Sequence, residues 1–297
     1  MEKATPIDSL VTAQWLHKHL NDPNIRILDA RGYVHHIDDG KGNMVVQYAG
    51  AEDEYDAAHI PGAVYVDWTS DITDPDDAVP VQIAPPERFA RWASRAGIGD
   101  ETHVIVYDHS GGTIATRVWW DLLYYGHDRV SVLNGGWKQW ASAGLPTSAE
   151  TPAISPTTFT PHTHPAMRKT VDEVAQISDA RSALLVDARA PDQYAGAVVR
   201  SGRAGHIPGA INVPSTTPFD PATGAWKSDD ELAAILRDAG VSSDQPTVAY
   251  CGGGVSATSV LFAMHRTGHR NWANYDGSWN EWGPRTDLPT ESNDPNR

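Results

Sequence analysis

The chain has 297 residues, 40% of them hydrophobic and 21% charged, a length that allows two ordinary domains and a composition that excludes a predominantly disordered polymer. No apolar run approaches the roughly 18 residues of a membrane-spanning helix, and the formal charge of −15 argues against nucleic acid or an anionic membrane as a partner. A single cysteine among 13 histidines excludes an intrachain disulfide and a cysteine-based zinc cluster, and with no basic, apolar leader at the start the expected home is cytoplasmic.

In chain order, the pattern predicts a helix over Ser9–Leu20 and a short buried strand over Ile25–Asp29, then helices over Pro86–Ala96 and Thr113–Tyr125 that flank a strand at Val104–Tyr107. A strand at Val130–Leu133 closes the first half. Residues 151–170 carry prolines at 152, 156, 161 and 165 without apolar periodicity, which reads as an extended linker. The second half repeats the rhythm: a strand at Ala183–Asp187, a helix at Asp229–Ala239, a strand at Thr247–Tyr250 and a helix at Val255–Thr267. Strands alternating with helices predict α/β domains with mainly parallel sheets, whose ligands sit beyond the carboxyl ends of the strands.

The two halves are copies. Ile27-Leu28-Asp29-Ala30-Arg31 returns as Leu185-Val186-Asp187-Ala188-Arg189, and His59-Ile60-Pro61-Gly62-Ala63 as His206-Ile207-Pro208-Gly209-Ala210. Val104–Asp108 returns as Thr247–Cys251, Asn134-Gly135-Gly136-Trp137 as Asp276-Gly277-Ser278-Trp279, and Gly144-Leu145-Pro146 is echoed by Asp287-Leu288-Pro289. The offsets are 158, 147, 143, 142 and 143, so the order is kept with one length change of 11 residues between the first two motifs. A period near 145 means duplicated domains, since a solenoid needs many shorter units. The expected division is residues 1–148, a linker at 149–165, and 166–297. The first part holds 11 basic against 21 acidic residues and the rest 12 against 17, so the second half is the less hostile to an anion.

Cys251-Gly252-Gly253-Gly254-Val255-Ser256 follows a predicted strand and opens a predicted helix. Consecutive glycines let successive N–H groups turn inward as a nest, and the helix start adds unpaired donors and the positive end of its dipole. Such a cradle favours a charged sulfur and a bound anion beside it, which is the setting of a nucleophile. Two plainer readings stand beside this one: a small buried hydrophobe, or a phosphate cradle in which the thiol is incidental. The spacing matches neither a dinucleotide fingerprint nor a P-loop. A cysteine phosphatase would need an arginine six residues after the cysteine to grip phosphate, and Ala257 stands there.

With the paired Asp-Ala-Arg and His-Ile-Pro-Gly-Ala motifs, Arg117-Val118-Trp119-Trp120, Val132-Leu133-Asn134-Gly135-Gly136-Trp137 and the Cys251 loop, the chain resembles tandem-domain sulfurtransferases of the rhodanese superfamily along essentially its whole length. The resemblance implies two rhodanese-like α/β domains, the first catalytically silent and the second active. The residues agree, because Asp108 occupies the position of Cys251 and cannot carry sulfane sulfur. It also implies ping-pong transfer through a Cys251 persulfide, with no cofactor or metal, in which the N–H groups of Gly252 through Ser256 stabilise the sulfur and the Ser256 hydroxyl donates to it. The partners implied are a small sulfur donor and, as acceptor, cyanide or a thiol, either small or on a thioredoxin-like protein.

The loop has no basic side chain, whereas family members that use thiosulfate typically have two. It is closest to the Cys-Gly-Ser-Gly-Val-Thr of members that use 3-mercaptopyruvate, with Gly253 at the Ser position. The resemblance places carboxylate-binding arginines ahead of the second His-Ile-Pro-Gly motif. One falls on Gln193, leaving Arg200 and Arg203 as candidates. The expected reaction is transfer from 3-mercaptopyruvate, with thiosulfate:cyanide transfer and a non-turnover sulfur-carrier module as alternatives. Arg31 with Asp29, and Arg189 with Asp187, read as structural pairs. His59 and His206 recur in both halves and read as architectural, although His59 could face the site across the domain interface. His35-His36, His162 and His164 lack carboxylates at metal-ligand spacing. The tryptophan clusters read as packing.

Overall fold

The computed structural model describes residues 7–38, 40, 44–109 and 111–293. The first domain contains β1 (Leu10–Val11), α1 (Ala13–Lys18), β2 (Ile25–Asp29), β3 (Gly32–Asp38), β4 (Met44–Gly50), α2 (Glu52–Ala57), β5 (Val64–Tyr65), α3 (Pro86–Arg95), β6 (His103–Tyr107), α4 (Ala115–Tyr124), β7 (Val130–Leu133) and α5 (Gly136–Ser142). The second contains β8 (Arg168–Lys169), α6 (Val171–Ala180), β9 (Leu184–Asp187), α7 (Pro191–Ala195), β10 (Ile211–Asn212), α8 (Asp229–Asp238), β11 (Thr247–Tyr250), α9 (Ala257–Arg266), β12 (Trp272–Tyr275) and α10 (Ser278–Trp282). Both sheets are wholly parallel, in the orders β1-β7-β6-β2-β5 and β8-β12-β11-β9-β10. The duplication read from the motifs is thus a duplication of topology.

The expected strands at Ile25–Asp29, Val130–Leu133 and Thr247–Tyr250 form over those residues. The helix expected over Ser9–Leu20 is shorter. Leu10 and Val11 pair with β7 as strand β1, and Thr12 caps the helix by accepting from the Trp15 N–H at 3.1 Å. Two segments escaped the periodicity altogether: β3 and β4, which form an antiparallel hairpin pairing Val34 with Tyr48 and His36 with Val46. This hairpin fills the stretch between the first Asp-Ala-Arg and His-Ile-Pro-Gly motifs, where the first half is 11 residues longer than the second.

The two domains share one apolar core. It runs from Leu28, Phe89 and Trp119 through Phe262, Val260 and Trp226, with α4 of one domain packed on α9 of the other. Trp119 meets Phe262 edge-on at 4.9 Å, and the Thr116 and Thr258 hydroxyls hydrogen-bond across the seam at 2.9 Å. The seam is reciprocal: the Ile83 N–H donates to Asp276 at 3.0 Å, and the Trp226 N–H donates to Asn134, the counterpart of Asp276, at 2.9 Å. Apolar continuity of this kind makes the pair of domains one packed body rather than two hinged ones. Residues 149–164 have neither helix nor strand and are held along the first domain. The N–H of Thr157 donates to Ser94 O at 3.0 Å and that of His162 to Tyr125 O at 2.9 Å, while the Phe159 ring is buried beside Phe89.

Candidate active site

A parallel sheet brings all its carboxyl ends to one edge, and four segments meet there in the second domain. Ala188–Gln193 follows β9, Pro214–Thr216 follows β10, Cys251–Ser256 follows β11, and Trp279–Asn280 lies just beyond β12. They enclose a cavity of about 340 Å³ that Cys251 lines, and Arg200 and Ser201 complete this side. The opposite wall comes from the first domain. Val34, His36, Val46 and Tyr48 form two neighbouring cross-strand pairs on one face of the β3–β4 hairpin, and all four line the cavity. His59 is absent from this wall. It is fully buried, stacked on Tyr55 with ring centroids 3.9 Å apart, and hydrogen-bonded to the carbonyls of Tyr55 and Glu150. His206 repeats the arrangement against Tyr194.

The cysteine is 2% exposed and its backbone is fixed from behind. Its N–H donates to Ser278 Oγ at 3.0 Å, its carbonyl accepts from the Trp279 N–H at 3.0 Å, and the Gly252 carbonyl accepts from the Asn280 N–H at 2.8 Å. Ser278 holds φ +52, a left-handed value that is costly for a residue with a Cβ; its counterpart Gly136 has the same φ without that cost. The strain places a hydroxyl behind Cys251 that the first domain lacks at the equivalent position. Gly254 must be glycine, since at φ +75 a Cβ would meet the Asp276 carbonyl at 2.4 Å.

The loop's N–H groups identify what it is built to hold. Among the described residues, those of 252–257 have no protein acceptor. The equivalent loop of the first domain has one in Asp108, whose carboxylate accepts from Gly111, Gly112, Ile114 and Ala115 at 3.2, 2.9, 2.9 and 3.1 Å. The fold therefore makes an anion nest twice; the first is filled by its own carboxylate, and the second has a thiol at the same rim. Asp108→Ala should leave four donors unpaired and cost about 2–3 kcal/mol. Thermal unfolding should detect it as a drop of about 4–10 °C, and an unchanged midpoint would show that the nest needs no anion.

Arg117 braces the cysteine loop from the first domain. It is buried, donates to the Gly254 carbonyl at 3.1 Å, and pairs with Asp121 at 3.0 Å and Asp276 at 2.5 Å. Burial opposes its charge, yet the two carboxylates outweigh burial and hold its pKa above the ordinary arginine value. Arg168 reaches Asp276 at 3.3 Å, and Asn274 donates to the same Gly254 carbonyl at 2.9 Å.

Of the residues singled out by sequence, Cys251, Gly252, Gly253, Val255, Ser256 and Arg200 come together around the cavity. Gly254 lies behind it with its carbonyl turned to Arg117 and Asn274. Ser256 opens α9 without making a capping bond. Arg203 is placed elsewhere: its guanidinium donates to the carbonyls of Gly283 at 3.0 Å and Arg285 at 2.5 Å, and it does not line the cavity. Gln193 does line it. Arg189 reaches the cavity as well, but its fork is committed to Asp187 and to the Gly205 carbonyl and its plane lies over Trp279; Arg31 repeats this with Asp29 and Trp137. Among the described residues Arg200 makes no ion pair or hydrogen bond, so it is the uncommitted guanidinium of the cavity. Burial and the Arg200 charge hold the His36 imidazole below its usual pKa, and hence neutral near pH 7.

Sequence reasoning missed the hairpin wall. Its signal was present, as two β-rich stretches, Tyr33–Ile37 and Met44–Tyr48, flanking Asp38-Asp39-Gly40-Lys41-Gly42-Asn43 within the 11-residue excess. Among the described residues no group of three or more His, Cys, Asp or Glu is placed to hold a metal ion, and no helix is long and apolar enough to cross a membrane.

A profile of the rhodanese-like domain matches residues 12–143 and again 170–284. The chain is 36% identical over 289 residues to 3-mercaptopyruvate sulfurtransferase of Escherichia coli strain K12, spanning 95% of this chain and 97% of that one. It is 33% identical over 295 residues to a putative thiosulfate sulfurtransferase of Mycobacterium tuberculosis strain H37Rv, spanning 96% and 98%. Among solved structures, that of SseA from Escherichia coli superposes with a TM-score of 0.77 at 34% identity, covering 91% of this chain and 98% of the other.

Proposed function

The chain belongs to the rhodanese-like family and is a sulfurtransferase, and from that premise we propose that it moves sulfane sulfur from 3-mercaptopyruvate to a thiol, or to cyanide, through a persulfide on Cys251. The thiolate attacks the donor's sulfur while the N–H nest holds negative charge on sulfur before and after transfer. The persulfide then faces the cavity, where an acceptor nucleophile takes the outer sulfur and returns the thiolate. Acceptors are thiols small enough, or presented on a chain slender enough, to enter between the cysteine loop and the hairpin.

The observation that carries the donor assignment is the uncommitted Arg200 beside Cys251 in a loop that has no cation of its own. A donor whose carboxylate is set off from the reacting sulfur by two carbons can engage both groups of this cavity, with the sulfur in the nest and the carboxylate on the guanidinium. Thiosulfate presents its whole dianion at the nest, and a single arginine serves it less well.

The test is steady-state turnover with 3-mercaptopyruvate and with thiosulfate, each with a thiol and with cyanide. The expected order is a higher kcat/KM for 3-mercaptopyruvate. Arg200→Ala should lower that value about 10- to 150-fold, the worth of a charged hydrogen bond of about 1.5–3 kcal/mol, and Arg200→Lys should restore only part of it. Thiosulfate as the better donor would overturn the assignment; a silent Arg200→Ala would remove this residue from it.

A further inference from the structure

Tyr48 stands over the cysteine loop from the other half of the chain. Its ring packs edge-on against the buried Trp68, with centroids 5.7 Å apart. Its hydroxyl accepts a hydrogen bond from Asn280 Nδ2 at 2.9 Å, and Asn280 is itself tied to the loop through the Gly252 carbonyl. The hydroxyl also lies against Gly253, where a Cβ would meet it at 2.7 Å. The phenol thus fills the place that a side chain on Gly253 would take. Because Asn280 is the donor in their bond, the phenolic proton remains to be given, and no acceptor for it exists among the described residues. Tyr48 lines the same cavity as Cys251 and Arg200. Burial pushes its pKa up to about 12, with the Asn280 bond opposing and the Cys251 charge adding to the rise, so the group is a neutral donor throughout the neutral range.

We propose that Tyr48 is a catalytic residue for breaking the donor's carbon–sulfur bond, giving its hydrogen bond to the carbonyl oxygen that becomes an enolate. This rests on the 3-mercaptopyruvate reading. When the Cys251 thiolate attacks, a sulfur–sulfur bond forms and the carbon–sulfur bond breaks. Its electron pair passes to carbon and spreads onto the adjacent carbonyl oxygen. The proton of the donor's thiol, lost from the terminal sulfur of the persulfide, is taken up at that carbon, giving pyruvate and an anionic persulfide. The Cys251 sulfur is oxidised and the carbon reduced by the same two electrons, so no further reagent enters. Charge on the oxygen peaks midway, and a fixed neutral donor contributes most there. The cavity's two guanidinium groups are engaged elsewhere, Arg189 with Asp187 and Arg200 with the carboxylate.

Thiosulfate provides the internal control, because sulfite departs without an enolate. In the full chain, Tyr48→Phe is expected to lower kcat with 3-mercaptopyruvate by roughly 10- to 100-fold with little change in KM, and to leave thiosulfate turnover within about threefold. Equal losses with both donors would reduce Tyr48 to a support for the loop, and no loss would overturn the proposal. A wild-type chain that fails to turn over 3-mercaptopyruvate would instead overturn the donor reading, and Tyr48 with it. Gly253→Ser offers a second test. Alone, its side chain collides with the phenol and should reduce turnover of both donors. Placed on Tyr48→Phe, it should be accommodated and recover part of the 3-mercaptopyruvate rate, whereas additive losses in the double variant would contradict the shared position of the two hydroxyls.

Discussion

Cys251→Ser is expected to reduce sulfur transfer more than about 1,000-fold with every donor while leaving the protein folded. An alcohol at neutral pH is a far weaker nucleophile than a thiolate, and an alkoxide cannot hold sulfane sulfur in a stable bond. The fold should survive, because Cys251 is fixed through its backbone N–H and carbonyl, which serine keeps. The melting midpoint should move by only a few degrees. Intact-mass measurement of the wild-type chain after treatment with donor alone should show a gain of about 32 Da, one sulfur atom, which is lost on adding acceptor. Turnover by the serine variant would remove Cys251 from the chemistry, and a wild-type chain that takes up sulfur but never releases it would be a carrier rather than an enzyme.

Arg117→Ala is expected to give the largest loss of stability of any single change near the site. Removing one partner from a buried ion pair costs about 3–5 kcal/mol, because the charges left behind are neither hydrated nor matched. Here Asp121 and Asp276 would be left with only Arg168, which is a third exposed and reaches Asp276 alone. The melting midpoint should drop by about 6–20 °C. Asp121 is already held above the usual carboxylate pKa by burial, with Asp276 adding to the rise and Arg117 opposing it. A carboxyl raised in the folded state favours folding as pH falls through that raised value, so the defect should shrink in mild acid. Residual folded enzyme should also turn over more slowly, since the Gly254 carbonyl loses a donor that shapes the loop. Arg117→Lys keeps the charge without the fork that spans Asp121, Asp276 and Gly254, and should recover only part of either loss. A midpoint unmoved by the alanine variant would mean that water reaches the two acids.

Much of this architecture could be read before any coordinates, and the reason is duplication. Motifs that recur in order at a nearly constant offset establish two equivalent domains, and the strand–Cys–Gly–Gly–Gly–helix run places the thiol at the carboxyl end of a parallel sheet. Asp108 at the position equivalent to Cys251 marked the two halves as different, although only the structure shows its carboxylate filling the nest. The arginines were harder. Arg200 and Arg203 are three residues apart in one loop, and the distinction between them is tertiary: Arg203 meets the carbonyls of Gly283 and Arg285, which no local pattern foretells. The hairpin wall was hardest. Its strands carry apolar, aromatic and polar residues on exposed faces, so no core-directed alternation announced them. That Tyr48 ends up 2.9 Å from Asn280 is settled by how two domains pack.

The hairpin has a consequence for how such a chain can change over generations. One copy of a duplicated domain that has lost its nucleophile would ordinarily drift, since only its packing is under selection. Here the first domain supplies the wall opposite Cys251, so substitutions at Val34, His36, Val46 and Tyr48 alter which molecules reach a thiol some two hundred positions downstream. The β3–β4 pair is also a sheet of its own, hydrogen-bonded to neither five-stranded ladder, so its length can vary without interrupting either. Access to Cys251 can therefore be retuned by insertion and deletion in the first domain, leaving the cysteine loop untouched.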